Sequence, residues 1–145
     1  TFSPDFEVSS ALPIITEHYD WISSSEILML ASDGTNAWLF LLGIGSRGHL
    51  LSIKAILKLA DFNNNPCVIP ISSSLAVIVY INNNADLVMR RVKIGDELLV
   101  SANFLLGDGL GAEARADAGF LNKETGLFAV THESGSNLIT NIYQI

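Results

Sequence analysis

The sequence contains few of the features that bind nucleic acid or cross a membrane. Only eight of its 145 residues are Lys or Arg, against fifteen Asp or Glu, so the formal charge is −7. Phosphate contacts dominate nucleic-acid affinity and need clustered cations, so we expect no nucleic-acid partner. No apolar run reaches the roughly 20 residues of a membrane helix, so we also expect no membrane insertion.

Cysteine is almost absent. The single cysteine, Cys67, excludes an internal disulfide and has no histidine near it in sequence, which favours a small apolar filler over a catalytic thiol. A chain of this length buries roughly 70% of its unfolded surface, so we expect one domain, residues 1–145, without a covalent staple. The first four residues lack the charged and apolar regions of a signal peptide.

Charged residues are also scarce, at 16% of the chain, whereas hydrophobic residues make up 49%. Soluble domains usually carry about 25% charged residues. The apolar excess predicts a subunit interface, because obligate interfaces resemble a domain core cut in half. We therefore expect a homo-oligomer.

What the chain does contain is a repeated pattern of strands and turns. Residues 75–105 hold two β-branched segments around the Asn-rich stretch 82–86 and a third after Gly95, which predicts a three-stranded meander. Segments 26–42 and 119–130 each predict a hairpin. A last strand is predicted over residues 137–145, with apolar side chains on both sides, as expected if both faces are covered.

Strands at this spacing are typical of an all-β fold, an antiparallel β-sandwich or jelly roll. We predict at most one short helix. The two segments with any helical character are 13–24 and 111–118, and the second is short and bounded by glycine.

One glycine motif points to a different function. Gly43, Gly45 and Gly48 match G-x-G-x-x-G, the dinucleotide-binding fingerprint, and Asp61 lies 18 residues beyond the first glycine. That site needs a helix directly after the third glycine. Instead, apolar residues occupy the odd positions from Leu51 to Leu59, which is the period of a strand. We therefore predict a glycine turn between strands and no cofactor.

The candidate catalytic residues do not form a recognisable set. His18, His49 and His132 have no metal-ligand spacing, and Asp33-Gly34-Thr35 has the wrong order for an aspartic-protease loop. An enzyme would require at least two of a set of five residues to converge in one cleft: His18, His49, His132, Asp33 and Asp108. We expect a non-enzymatic protein with no catalytic residues.

Amide side chains both donate and accept hydrogen bonds, which suits neutral, hydroxyl-rich ligands, and aromatic rings offer a stacking face. The candidate ligand-binding residues are Asn63, Asn64, Asn65, Trp21, Tyr19 and Asp108. The alternative is that the asparagines form turns and the aromatic residues fill the core, as we expect for Trp38.

Asp108 lies in the acidic glycine loop 107–111. With Glu113 and Asp117 this loop offers oxygen atoms of the kind that bind calcium. It has no EF-hand spacing, so a flexible surface loop is the simpler interpretation and we predict no metal site.

The turn Lys93–Val100, within the meander, resembles a strand turn of phage tail and receptor-binding head domains. It is also similar to turns in trimeric jelly rolls of the complement-like and tumour-necrosis-factor-like kind. The resemblance covers about 30 of the 145 residues, and it carries over no binding residue, because these families share no single site motif. It implies a compact β head, often a homotrimer.

Such a head attaches to a cell-surface receptor, frequently a saccharide, and is extracellular or on a virion surface. The sequence therefore predicts a lectin-like attachment module. The alternative is a structural assembly subunit, such as a capsid, baseplate or decoration protein, with no small ligand.

Overall fold

The computed structural model describes residues 16–110 and 115–145, and every regular element within these ranges is a β-strand. The strands of this described part are β1 (Thr16–Ser23), β2 (Glu26–Ser32), β3 (Ala37–Ile44), β4 (Leu50–Leu59), β5 (Phe62–Ser72), β6 (Leu75–Asn82), β7 (Leu87–Ile94), β8 (Leu98–Val100), β9 (Phe104–Gly107), β10 (Ala116–Asn122), β11 (Leu127–Ser134) and β12 (Asn137–Gln144).

The strands form three antiparallel sheets: sheet A (β1–β4), sheet B (β5–β9) and sheet C (β10–β12). Within each sheet, strands that follow one another in the chain are neighbours, except that β9 pairs with β7 on the same edge as β8. The all-β antiparallel prediction is confirmed, and the packed layers are consistent with a β-sandwich. The jelly-roll alternative is not confirmed, because that fold is built from Greek keys rather than meanders.

Sheet B lies between the other two. Its β6 side chains point alternately to opposite faces, as in any strand. Ile78 and Tyr80 join a first core with sheet A, whereas Val77 and Val79 join a second core with sheet C. Seven of the eight β6 residues are buried. A nearly continuous β-branched run therefore fits this strand, because both of its faces are covered.

The predicted hairpins are present. Strands β2 and β3 pair from Glu26 to Gly43, β6 and β7 pair around the 82–86 turn, and β10 and β11 pair around residues 122–127. The turn signals in the sequence therefore identified the connections correctly.

The glycine fingerprint is a turn between two strands, as predicted. The N–H of Gly48 donates to the carbonyl of Gly45 at 2.9 Å, and Gly48 has φ of +77°, which only glycine adopts readily. Strand β4 follows, where a dinucleotide site would need a helix. Lys54 and Lys58 are exposed, in agreement with the predicted strand.

Neither segment with helical character is a helix where the two can be compared, which agrees with the prediction of at most one short helix. Residues 16–23 form β1, and residues 116–118 begin β10, while residues 13–15 and 111–114 lie outside the described ranges. Pairing with β2 and β11 decides these segments, and local helix propensity is a weaker effect. Within the described residues, no helix is long and apolar enough to cross a membrane.

Two predictions need correction. The third strand of the meander is split into β8 and β9 by the irregular residues 101–103, where Ser101 bonds to Arg90 and Arg91. Strand β12 does not have both faces covered: Leu138 and Ile142 are largely exposed, while Tyr143 packs on the second core. Trp38 is half-buried and packs against the apolar cluster on the outer face of sheet A.

Candidate functional site

Tyr19 and Trp21 stand side by side on β1, the edge strand of sheet A. Tyr19 lies opposite Met29 and Trp21 opposite Ile27, so both rings are on the outer face, away from the first core. Tyr19 is 56% exposed and Trp21 is 46% exposed. They are two positions apart along the strand, which corresponds to about 7 Å. The pair forms an exposed aromatic strip at the edge of an apolar sheet face.

Asn63, Asn64 and Asn65 lie within β5 rather than in a loop, so their interpretation as turn residues was wrong. The β5–β6 register shifts across Asn64, and Asn65 has φ of +54°, so this run forms an irregular bulge in an edge strand. Asn63 is exposed, and the Asn64 side-chain oxygen accepts the N–H of Asn65. Asn65 also lines a shallow cleft of about 350 Å³ with Arg115 and Leu138.

Asp108 is exposed in the loop after β9, and this loop docks on the β6–β7 turn. The N–H of Gly109 donates to Oδ1 of Asp86 at 3.0 Å, and Leu110 donates to the carbonyl of Ala85 at 2.9 Å. The bond from Gly109 holds the pKa of Asp86 below its usual value, since it favours the charged carboxylate.

A third connection joins the same turn. The N–H of Asn83 donates to the carbonyl of Asp61 at 2.8 Å, and its side-chain amide donates to the carbonyl of Ala60 at 3.3 Å. Buried Asn82 organises the turn from below: its Oδ1 accepts the N–H groups of Asn84 and Asp86. The connections at 60–61, 82–86 and 107–110 therefore form one polar rim.

Sequence reasoning missed a cluster of polar side chains beside this rim, centred on Asp61. Its carboxylate accepts from the Tyr80 hydroxyl at 2.9 Å and from the Asn103 amide at 2.7 Å, and it lies 3.5 Å from the Arg90 guanidinium. Arg90 also donates to the carbonyl of Ser101 at 2.6 Å. An arginine and a tyrosine within apolar strand segments were the available signals.

The Tyr80 phenol and the Cys67 thiol are not activated as nucleophiles. Burial raises the pKa of the Tyr80 phenol well above its usual value, and burial raises the pKa of the Cys67 thiol to about 11. The thiol donates to the carbonyl of Ala118 at 3.3 Å. Both groups are therefore protonated at neutral pH, whereas a nucleophile needs a depressed pKa or an adjacent base.

The remaining candidates are spread over the fold. His18 Nδ1 accepts the N–H of Val68 at 3.0 Å, and His132 is buried on β11. Asp33 and His49 occupy the turns at opposite ends of β3. Across residues 16–110 and 115–145, no group of three or more His, Cys, Asp or Glu is placed to hold a metal ion.

The six sequence-predicted binding residues therefore occupy three places: the aromatic strip, the β5 bulge and the polar rim. Comparisons with family models, curated proteins and solved structures found no match to this chain.

Proposed function

We propose that this chain is a non-enzymatic attachment domain that binds a cell-surface saccharide through the aromatic strip, Tyr19 and Trp21. The supporting observation is the exposure of two adjacent rings on one face of an edge strand. Exposing large aromatic side chains to water loses the free energy that their burial would contribute. Exposed apolar surface of this kind therefore commonly marks a binding site. A sugar ring presents flat C–H faces that pack on such rings.

Exposed polar groups beside the strip and on the separate polar rim fit the same ligand class. Glu17 is exposed on the outer side of β1, two residues before Tyr19, and its carboxylate accepts hydrogen bonds from hydroxyl groups. The polar rim, with exposed Asn83, Asn84 and Asp108, offers a second hydroxyl-binding surface held rigid by backbone hydrogen bonds. A rigid polar surface loses little conformational entropy on binding. We place the domain on an extracellular or virion surface.

A glycan array probed with the full chain tests this proposal. We expect a retained glycan, and a loss of affinity of at least about tenfold in Tyr19→Ala and in Trp21→Ala, corresponding to 1.4 kcal/mol. The matched control is Phe104→Ala on β9, because Phe104 is also 56% exposed and lies on another sheet. Failure of the unaltered chain to retain any saccharide, or equal losses in all three variants, would contradict the proposal.

The second candidate function is a structural assembly subunit without a small ligand. It is favoured by exposed apolar side chains on the outer face of sheet C, where Leu121, Leu138 and Ile142 are each more than half exposed. This function predicts self-association and no glycan binding. The resemblance to trimeric head domains makes a trimer the expected assembly. If the chain binds no glycan on the array, sedimentation velocity tests the second function, which requires that the chain self-associate.

A further inference from the structure

Strand β12 is an edge strand without the usual protection against pairing. It lies at the end of the order β10-β11-β12, and in the described part of the chain its second edge pairs with no strand. Its eight residues pair with β11 without any register shift. The segment contains no charged residue, no proline and no glycine. Natural edge strands usually carry lysine, proline or a bulge, because a regular uncharged edge accepts another strand.

The exposed side chains of β12 form a short symmetric pattern. Leu138, Thr140 and Ile142 point to the outer face, and Leu138 is 72% and Ile142 62% exposed. Thr140 is also exposed, and its hydroxyl lies 2.9 Å from the hydroxyl of Thr131 on β11. One apolar residue thus stands two positions on either side of a central threonine.

We propose that β12 is the interface through which two copies of this chain pair, edge to edge and antiparallel, about a two-fold axis at Thr140. The two sheets C then form one continuous sheet of six strands. A two-fold axis of this kind keeps the outer faces on the same side and places each residue opposite a partner residue of the same face.

The exposed side chains of the outer face favour one register. Centring the axis on Thr140 places Leu138 opposite the partner's Ile142, and Thr140 opposite the partner's Thr140. Both pairs are favourable cross-strand pairs. Centring it on Asn141 instead places Leu138 opposite the partner's Gln144 and exposed Ile142 opposite the partner's Thr140. That register matches apolar side chains with polar ones.

Charge favours this edge for a chain of net charge −7. The nearest outer-face carboxylate is Glu133 on β11, opposite Leu138. In the pair, the two β11 strands are three strand spacings apart, about 14 Å. That distance exceeds the Debye length of about 8 Å at physiological ionic strength, so the like charges are screened. Because β12 itself carries no charged residue, a seam at this strand adds little repulsion between the two copies.

A single pair of strands buries a small area, below the roughly 1,200 Å² of a standard interface. We therefore expect a dimer that dissociates on the order of micromolar concentration. An isologous seam closes at two copies, so the expected mass is that of a dimer and not of the trimer implied by the resemblance.

Sedimentation velocity of the full chain over about a hundredfold range of concentration tests the pairing. Thr140→Lys places two like charges opposite each other at the axis, so we expect its dimer to be at least about tenfold weaker. The control is Leu121→Lys, which adds the same charge to a 54% exposed position of the same sheet, but on β10. It should dimerise like the unaltered chain.

A charge-pair mixture tests the register itself. Thr140→Asp alone should be as weak as Thr140→Lys, whereas an equal mixture of the two variants should recover a species with the mass of two chains. Circular dichroism of each variant confirms that the fold is kept. A monomeric unaltered chain, a species of three chains, an unimpaired Thr140→Lys dimer or a mixture that stays monomeric would each overturn the proposal.

Discussion

The hydroxyl of Tyr80 donates a 2.9 Å hydrogen bond to the carboxylate of Asp61, the residue at which the chain crosses from sheet A to sheet B. Tyr80 is fully buried, and its ring packs on that of Phe62 with centroids 5.5 Å apart. The same hydroxyl lies 3.4 Å from Arg90. This hydrogen bond therefore connects β6, in sheet B, to the β4–β5 connection at the edge of the first core.

We expect Tyr80→Phe to lower the free energy of unfolding by about 1–3 kcal/mol, because it removes a buried hydroxyl and its hydrogen bond to the partly buried Asp61 carboxylate. Urea denaturation measures the change. The control is Tyr19→Phe, which removes a hydroxyl from an exposed ring and should change stability by less than about 0.5 kcal/mol. Equal effects of the two substitutions would show that the Asp61 cluster does not stabilise the fold.

Asn82 should be the most sensitive residue of the β6–β7 turn. Its buried side chain accepts two backbone N–H groups, at 2.9 and 3.0 Å, and Asn82→Ala leaves both without a partner. We expect a loss of about 1–3 kcal/mol by chemical denaturation. Asn84→Ala, at an exposed position of the same turn, is the matched control and should stay within about 0.5 kcal/mol.

Asp33 should make stability depend on pH. The N–H groups of Asn36 and Thr35 donate to its carboxylate at 2.7 and 2.8 Å, and these bonds lower its pKa below the usual 3.8. A depressed folded-state pKa adds stability above the unfolded-state pKa, and this contribution is lost as the pH falls through the folded-state pKa. Carbon NMR titration of the carboxyl group should give a midpoint below 3.8.

The stability difference between the unaltered chain and Asp33→Ala should accordingly shrink between about pH 6 and about pH 2. A difference that is constant over this range would contradict the assignment of the pKa shift to the turn.

Cys67 should be almost unreactive while the chain is folded. With a pKa of about 11, roughly one thiol in a thousand is ionised at about pH 8, and the side chain is buried. A chromogenic disulfide reagent should modify it at the rate at which the protein opens, and rapidly in denaturant. Fast modification under native conditions would place the thiol at the surface.

Two glycines of sheet C allow a matched comparison of backbone strain. Gly126 and Gly135 both have positive φ, +67° and +60°, but a Cβ at Gly126 would lie 2.9 Å from the carbonyl oxygen of Ile145, whereas one at Gly135 meets nothing within 4 Å. Replacing each with Ala should cost about 1–2 kcal/mol for the left-handed conformation. Gly126→Ala should cost more, and equal losses in thermal unfolding would contradict this.

The fold was predictable where local pattern decides it. Period-two alternation and turn residues identify β4, β6 and β7, and they exclude the dinucleotide site at Gly43. The hydrophobic residues of segment 16–23 follow no clear period. Its pairing with β2 therefore depends on tertiary contacts, which the local sequence pattern does not reveal.

The polar cluster was not predictable for the same reason. Asp61 and Arg90 are 29 positions apart in sequence, and nothing near either residue indicates the other. The exposure of Leu138 likewise depends on which face of β12 meets sheet B, and both faces of that strand are partly apolar. Sequence identified Tyr19 and Trp21 by residue type, whereas their common exposed face follows from the β1–β2 register.

Both faces of strand β6 are apolar and buried, because each face belongs to a different core. If either outer layer detached, an uncharged β-branched segment would be uncovered, which is the type of segment that nucleates cross-β fibrils. The two layers therefore protect the protein from aggregation only while both are closed. The amide protons of β6 should exchange with solvent last, by complete unfolding alone.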